Sequence, residues 1–122
     1  MSEKPKILYV DDEIINLQLF KIVFSKEYEV LTAENGMKGL DVLSINHDVV
    51  IVISDMKMPG MNGIEFIKKS KILYPDISYF IFTGYEITGE IQEALNTGLI
   101  LKYFSKPFNM SEIDAELALV MK

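Results

Sequence analysis

The feature that most limits what this chain can fold into is an uninterrupted apolar run, Val49, Val50, Ile51, Val52 and Ile53. Without polar alternation, such a run reads as a strand buried on both faces, the situation of a parallel sheet covered by helices. It leads through Ser54 and Asp55 into Met58-Pro59-Gly60, which breaks the chain before Asn62-Gly63 opens a helical pattern. In open parallel sheets ligands sit at the carboxyl ends of the strands. Asp55 is therefore delivered to the place where chemistry is expected.

The rest of the chain repeats this arrangement. Lys6–Val10 is a second short apolar run, ending directly in Asp11, Asp12 and Glu13. Between Ile14 and Ser25 the polar residues Gln18, Lys21 and Ser25 are so few that the helix reads as largely buried. Residues 28–33 mix polar with apolar side chains, as an edge strand does. Gly36, Gly39, Leu40 and Leu43 share a helical face on which Gly39 permits close approach to the sheet. Beyond Asp55, one face of a helix carries Phe66, Ile67, Ser70, Leu73 and Tyr74, with Glu65, Lys68, Lys69 and Lys71 opposite. Residues 78–82 form a strand closed by Thr83-Gly84. Ile87, Ile91, Ala94, Leu95 and Gly98 mark a fourth helix, and 101–105 a fifth strand ending at Lys106-Pro107. Asn109 followed by Glu112 has capping-box spacing, and the helix it starts buries Ile113, Leu117 and Val120.

Strands alternating with helices through short loops imply a parallel sheet with right-handed crossovers and helices on both faces. Two edge strands more polar than the middle three fit a flavodoxin-like, doubly wound (βα)5 fold of order 2-1-3-4-5. The 122 residues fit one domain, 1–122, without repeats or linkers. With 18 acidic against 12 basic residues and a net charge of −6, the domain is a poor ligand for nucleic acid phosphates. There is no cysteine, hence no disulfide or thiol chemistry. The N-terminal MSEKPK lacks a signal-peptide core, and no segment approaches the roughly 18 apolar residues of a membrane span. The expectation is a soluble cytoplasmic protein that makes no membrane contact.

At the carboxyl ends of these strands stand Asp11 and Asp12, Asp55, Thr83 and Lys106. Clustered carboxylates repel one another and gain from a hard, oxygen-seeking cation, for which Mg²⁺ is the best match. A lysine ammonium and a threonine hydroxyl facing that cation would hold phosphoryl oxygens. Phosphoryl transfer asks the protein mainly for an in-line nucleophile and for neutralised charge, and Asp55 is the candidate nucleophile. Asp11 and Asp12 have a plainer alternative as caps of the first helix, whose amino end favours carboxylates. His47, the single histidine, lies in a polar turn and reads as an exposed loop residue, so a phosphoryl donor must be another protein.

These motifs resemble those of the receiver domains of two-component response regulators over essentially the whole chain. The resemblance rests on the acidic pair after the first strand and on D-x-x-M-P-x-M-N-G from Asp55 to Gly63. Thr83-Gly84 and Y-x-x-K-P-F at 103–108 complete it. It implies that a phosphohistidine on a sensor histidine kinase or phosphotransfer protein phosphorylates Asp55, a self-catalysed step of a switch rather than of an enzyme. It implies Mg²⁺ bound directly by Asp12 and Asp55, through water by Asp11, and by the Lys57 backbone carbonyl. Lys106 would pair with the phosphoryl group, Thr83 would hydrogen-bond to it, and Tyr103 would swing inward. The changed surface of the fourth helix, fifth strand and fifth helix would then control an effector protein or a covalently linked output domain. The Lys106-Pro107 bond is expected to be cis.

Some positions depart from the family pattern. Lys57 and Tyr85 occupy the two positions that tune dephosphorylation, and Leu101-Lys102 precede Tyr103 where G-A-x-x-Y is commoner. Two rivals compete with a phosphorylated switch. One is a docking module of the same fold, which would be expected to have lost some of the five site residues. The other is a flavodoxin-like or phosphatase-like enzyme, which the DDE sequence after the first strand opposes, since it would repel a flavin phosphate and lacks D-x-D.

Overall fold

The computed structural model describes residues 4–84, 87–107 and 109–121. Tyr85 and Phe108, both singled out above, lie outside them. Strands β1 (Lys6–Val10), β2 (Glu29–Ala33), β3 (Val49–Asp55), β4 (Ser78–Thr83) and β5 (Lys102–Ser105) alternate with helices α1 (Ile14–Phe24), α2 (Gly36–Ile45), α3 (Gly63–Leu73), α4 (Gly89–Asn96) and α5 (Met110–Val120). All pairings are parallel, in the order β2-β1-β3-β4-β5 that the sequence pattern implied. The more polar β2 and β5 are the edges.

Two cores sandwich the sheet. On one side Leu8, Val10, Val52 and Ile81 meet Leu43 of α2, Phe66 and Ile67 of α3, and Ile91 of α4. On the other, Ile7, Tyr9, Ile51, Ile53, Phe82 and Phe104 meet Leu17, Phe20 and Phe24 of α1 and Ile113 and Leu117 of α5. Helix starts follow local chemistry. Asn62 and Glu65 exchange side-chain and backbone bonds at 2.9 Å each, a complete capping box that fixes where α3 leaves the Asp55 loop. At α5 the Asn109 side chain accepts from the Glu112 amide at 3.0 Å.

The structure corrects several expectations. α1 buries one stripe, Leu17, Phe20 and Phe24, and turns a second apolar stripe outward: Ile15 is 76% exposed, Ile22 73%, and Leu19 is also exposed. These three fall at i, i+4 and i+7, so α1 carries two apolar faces of which the core covers one. Leu73 is 65% exposed because it ends α3 beyond its packed face. The β3 run is not buried throughout, since the β1–β3 register shifts between Lys6 and Ile7 and leaves Val50 skipped and 38% exposed. Gly39 admits close approach chiefly to α3: a Cβ there would stand 2.9 Å from the Phe66 ring, and Val10 is the next neighbour at 3.3 Å. Val120 is half-buried. His47 is exposed, as expected.

Candidate functional site

The sheet order makes the site. β1 and β3 are neighbours with Val10 opposite Ser54, so Asp11 and Asp55, next along each strand, come together. Asp55 pairs with Phe82, and Thr83 pairs with Ser105, which puts Lys106 at the same end of the sheet. The Lys106 amide donates to the Thr83 carbonyl at 2.9 Å, and the Lys106-Pro107 peptide is cis, as expected. The Lys106 Nζ stands 3.1 Å from Asp55 Oδ1 and 3.8 Å from Asp11 Oδ2. A cavity of about 620 Å³ opens here, lined by Asp12, Glu13, Asp55, Lys57, Met58, Pro59, Gly84 and Lys106.

The loop after Asp55 is held by its backbone. The Met56 amide donates to the Phe82 carbonyl at 2.8 Å, and the Gly63 amide donates to the Met56 carbonyl at 2.9 Å. Gly63 must lack a side chain: a Cβ would lie 2.4 Å from the Asp55 carbonyl oxygen and 2.8 Å from Ile81 Cδ1. Gly60 turns the loop with φ +80°, in the region that favours glycine.

Asp11 and Asp55 are buried and Asp12 is exposed, with one carboxylate oxygen from each lying within 4.8 Å of the others. Burial, then the Asp11 charge, push the Asp55 carboxyl up to about 6, against the hydrogen bond and charge of Lys106, with Asp12 adding to the rise. Burial acts to lower the Lys106 pKa, yet the hydrogen bond and charge of Asp55 leave it raised. Three carboxylates facing one ammonium leave surplus negative charge and an all-oxygen donor set, which fits a hard divalent cation.

Asp11 is not a helix cap. The N-cap of α1 is Glu13, without a side-chain bond, and Asp11 Oδ1 instead accepts from the Glu13 amide at 3.0 Å. Its other oxygen accepts from the Tyr9 hydroxyl at 2.6 Å and from Asn16 Nδ2 at 3.2 Å. Burial, then the hydrogen bond and charge of Asp11, raise the Tyr9 pKa and keep the phenol protonated. In the sequence Tyr9 is one more member of an apolar run, and no motif marks Asn16. The available signal was parity, because residues i and i+2 of a strand share a face.

Thr83 is buried at the end of β4, with Gly84 after it on the cavity wall. Tyr103 is half-buried, opposite Ile81 in the ladder, and packs with the α2–α4 core away from the cavity. The structure thus gathers Asp11, Asp12, Asp55 and Lys106 directly, places Lys57 in the cavity lining and Thr83 one residue before the lining Gly84, and leaves Tyr103 out of that lining.

A parallel five-stranded sheet thus presents an acidic, lysine-paired pocket at its carboxyl edge. The response regulator receiver domain family matches residues 7–118, and the chain belongs to it. It is 39% identical over 109 residues to sporulation initiation phosphotransferase F of Bacillus subtilis, covering 88% of this chain and 86% of that protein. It is 29% identical to the hydrogenase transcriptional regulatory protein HoxA of Cupriavidus necator over 88% of this chain but only 22% of that longer protein. The crystal structure of response regulator protein TrrA from Thermotoga maritima in complex with Mg²⁺-BeF superposes with a TM-score of 0.81 at 31% identity, covering 97% of this chain and 99% of that one. Among the described residues no helix is long and apolar enough to cross a membrane.

Proposed function

We propose that Asp55 accepts a phosphoryl group from a phosphohistidine on a sensor histidine kinase or phosphotransfer protein. The observation that carries this reading is the 3.1 Å contact between Lys106 and Asp55 inside a cavity walled by further carboxylates. Asp12 and Asp55 would hold Mg²⁺ directly and Asp11 through water, with the Lys57 backbone carbonyl completing the protein ligands, a reading that the clustered carboxylates support. When bound, Mg²⁺ neutralises charge on the phosphoryl oxygens.

The remaining work falls to the chain's own residues. An ionised Asp55 oxygen attacks phosphorus while the phosphorus–nitrogen bond to the donor imidazole breaks. Lys106 favours the ionised carboxylate beforehand and meets the transferred oxygens afterwards. The new group adds about −1.5 to −2 charge, which draws the Thr83 hydroxyl toward it. The end of β4 follows, and Tyr103 takes the space released. The population shifts only as far as the phosphoryl group binds the rearranged state better. An effector protein or linked output domain reads the altered α4–β5–α5 surface. Catalysis is confined to the domain's own aspartyl phosphate, whose lifetime Lys57 and Tyr85 set.

The outward stripe of Ile15, Leu19 and Ile22 supports a protein donor, because exposed apolar surface beside a reactive pocket suits a packed partner. The net charge of −6 supports a domain that leaves nucleic acid to other modules. A cytoplasmic location follows from such a donor.

The test is incubation with acetyl phosphate and Mg²⁺, followed by phosphate-affinity gel electrophoresis of wild type and Asp55→Asn, with and without chelator. A Mg²⁺-dependent shifted band absent from the variant is expected. A band that persists in Asp55→Asn would overturn the assignment of the acceptor.

A further inference from the structure

Asp11 is gripped from behind. Its Oδ2 accepts from the Tyr9 hydroxyl at 2.6 Å and from Asn16 Nδ2 at 3.2 Å, with the Lys106 ammonium 3.8 Å away. Oδ1 accepts from the Glu13 amide at 3.0 Å. The phenol that supplies the shortest of these bonds is itself fixed. The Tyr9 ring is fully buried, stacks on Phe20 at 4.3 Å between centroids with 15° between planes, and meets Phe82 edge-on at 6.2 Å. Ring packing therefore decides where the hydroxyl stands, and the hydroxyl decides how the carboxylate turns.

We propose that Tyr9 is a positioning residue for the cation site, holding Asp11 by Oδ2 so that Oδ1 is the oxygen left with capacity for the cation or its water. The inference rests on the Mg²⁺ reading above and extends it to a residue that touches neither metal nor phosphate. A carboxylate oxygen accepts about two strong donors, and Tyr9 and Asn16 supply two to Oδ2. Without the phenol hydroxyl, Asp11 is held by Asn16 and one amide, and binding must order it. Loss of a partner that orients a metal ligand typically weakens metal binding about 10- to 100-fold.

Tyr9→Phe removes one oxygen and keeps the ring on Phe20 and Phe82. The matched control is Tyr79→Phe. Tyr79 is equally buried, and its hydroxyl bonds Ser70 at 2.8 Å and the Tyr74 carbonyl at 2.9 Å, in the core under α3. Mg²⁺ alone is titrated calorimetrically into wild type, Tyr9→Phe, Asn16→Ala and Tyr79→Phe, with each fold checked by thermal melting. A dissociation constant raised about tenfold in Tyr9→Phe, raised less in Asn16→Ala and unchanged in Tyr79→Phe is the expected result. If wild type binds Mg²⁺ and Tyr9→Phe binds it equally well, the positioning role is wrong while the cation site stands. If wild type fails to bind, both fall. Should Tyr9→Phe not fold, Asn16→Ala decides, and wild-type affinity there overturns the proposal.

Discussion

Lys106 and Asp55 form an ion pair at 3.1 Å in which the ammonium is half-buried and the carboxylate almost wholly so. The same ammonium opposes any cation entering the pocket and favours any anion. Lys106→Met should therefore move two quantities in opposite directions. Mg²⁺ affinity should rise several-fold, because a competing positive charge has gone, while the labelling rate with acetyl phosphate should fall about 100-fold with the loss of a preorganised donor. Calorimetry and a labelling time course on one preparation read both, and a parallel fall would show that Lys106 only shapes the fold.

The Asp55 carboxyl, pushed up to about 6 by burial first and Asp11 second, makes the cation-free protein pH-sensitive. The folded state holds this proton more tightly than the unfolded chain does. Its contribution to stability is complete below the unfolded value near 3.8 and is lost as pH rises through about 6. Asp55→Asn escapes this loss. It should be more stable than wild type at pH 7 by about 1–2 kcal/mol, allowing for the open cavity mouth, and equal to it at pH 4. Urea unfolding with chelator across that range checks the trend, and added Mg²⁺ should stabilise wild type alone.

Gly63→Ala places a methyl 2.4 Å from the Asp55 carbonyl oxygen, so the Asp55 loop or the start of α3 must shift. A cost of about 1–3 kcal/mol is expected, together with slower labelling because the displaced backbone is that of Asp55, the proposed acceptor. Gly60→Ala, at φ +80° but in open space, should cost about 1 kcal/mol and label more nearly as wild type. Urea midpoints and labelling rates compare the two.

Ile15→Ser with Ile22→Ser should leave stability within about 0.5 kcal/mol, since both side chains are exposed. Labelling by acetyl phosphate should be unchanged, and transfer from a phosphorylated histidine protein should slow. Phe20→Ala, on the inner stripe of the same helix, should instead cost about 3–5 kcal/mol.

The sheet order and the gathering of Asp11, Asp55 and Lys106 were legible in the sequence because each rests on a local pattern. Apolar runs end in charged residues, and alternation of elements leaves few ways to order the strands. What escaped depends on partners that a single chain does not display. Ile15 and Ile22 look like core residues because apolarity says that a side chain seeks cover without saying whose. Tyr9 looks like filler because its ring belongs to the core and only its oxygen to the site. Val50 is exposed through a register shift that no composition records.

The two stripes of α1 have a consequence for how such a domain changes over generations. The inner stripe is bound to the sheet that carries the carboxylates, whereas Ile15 and Ile22 of the outer one stand mostly in solvent. Substitutions at 15 and 22 can thus accumulate without moving the atoms around Asp55. On the donor-docking role proposed for the outer stripe, sibling copies arising by duplication can drift apart in whom they answer while inheriting one unaltered reaction.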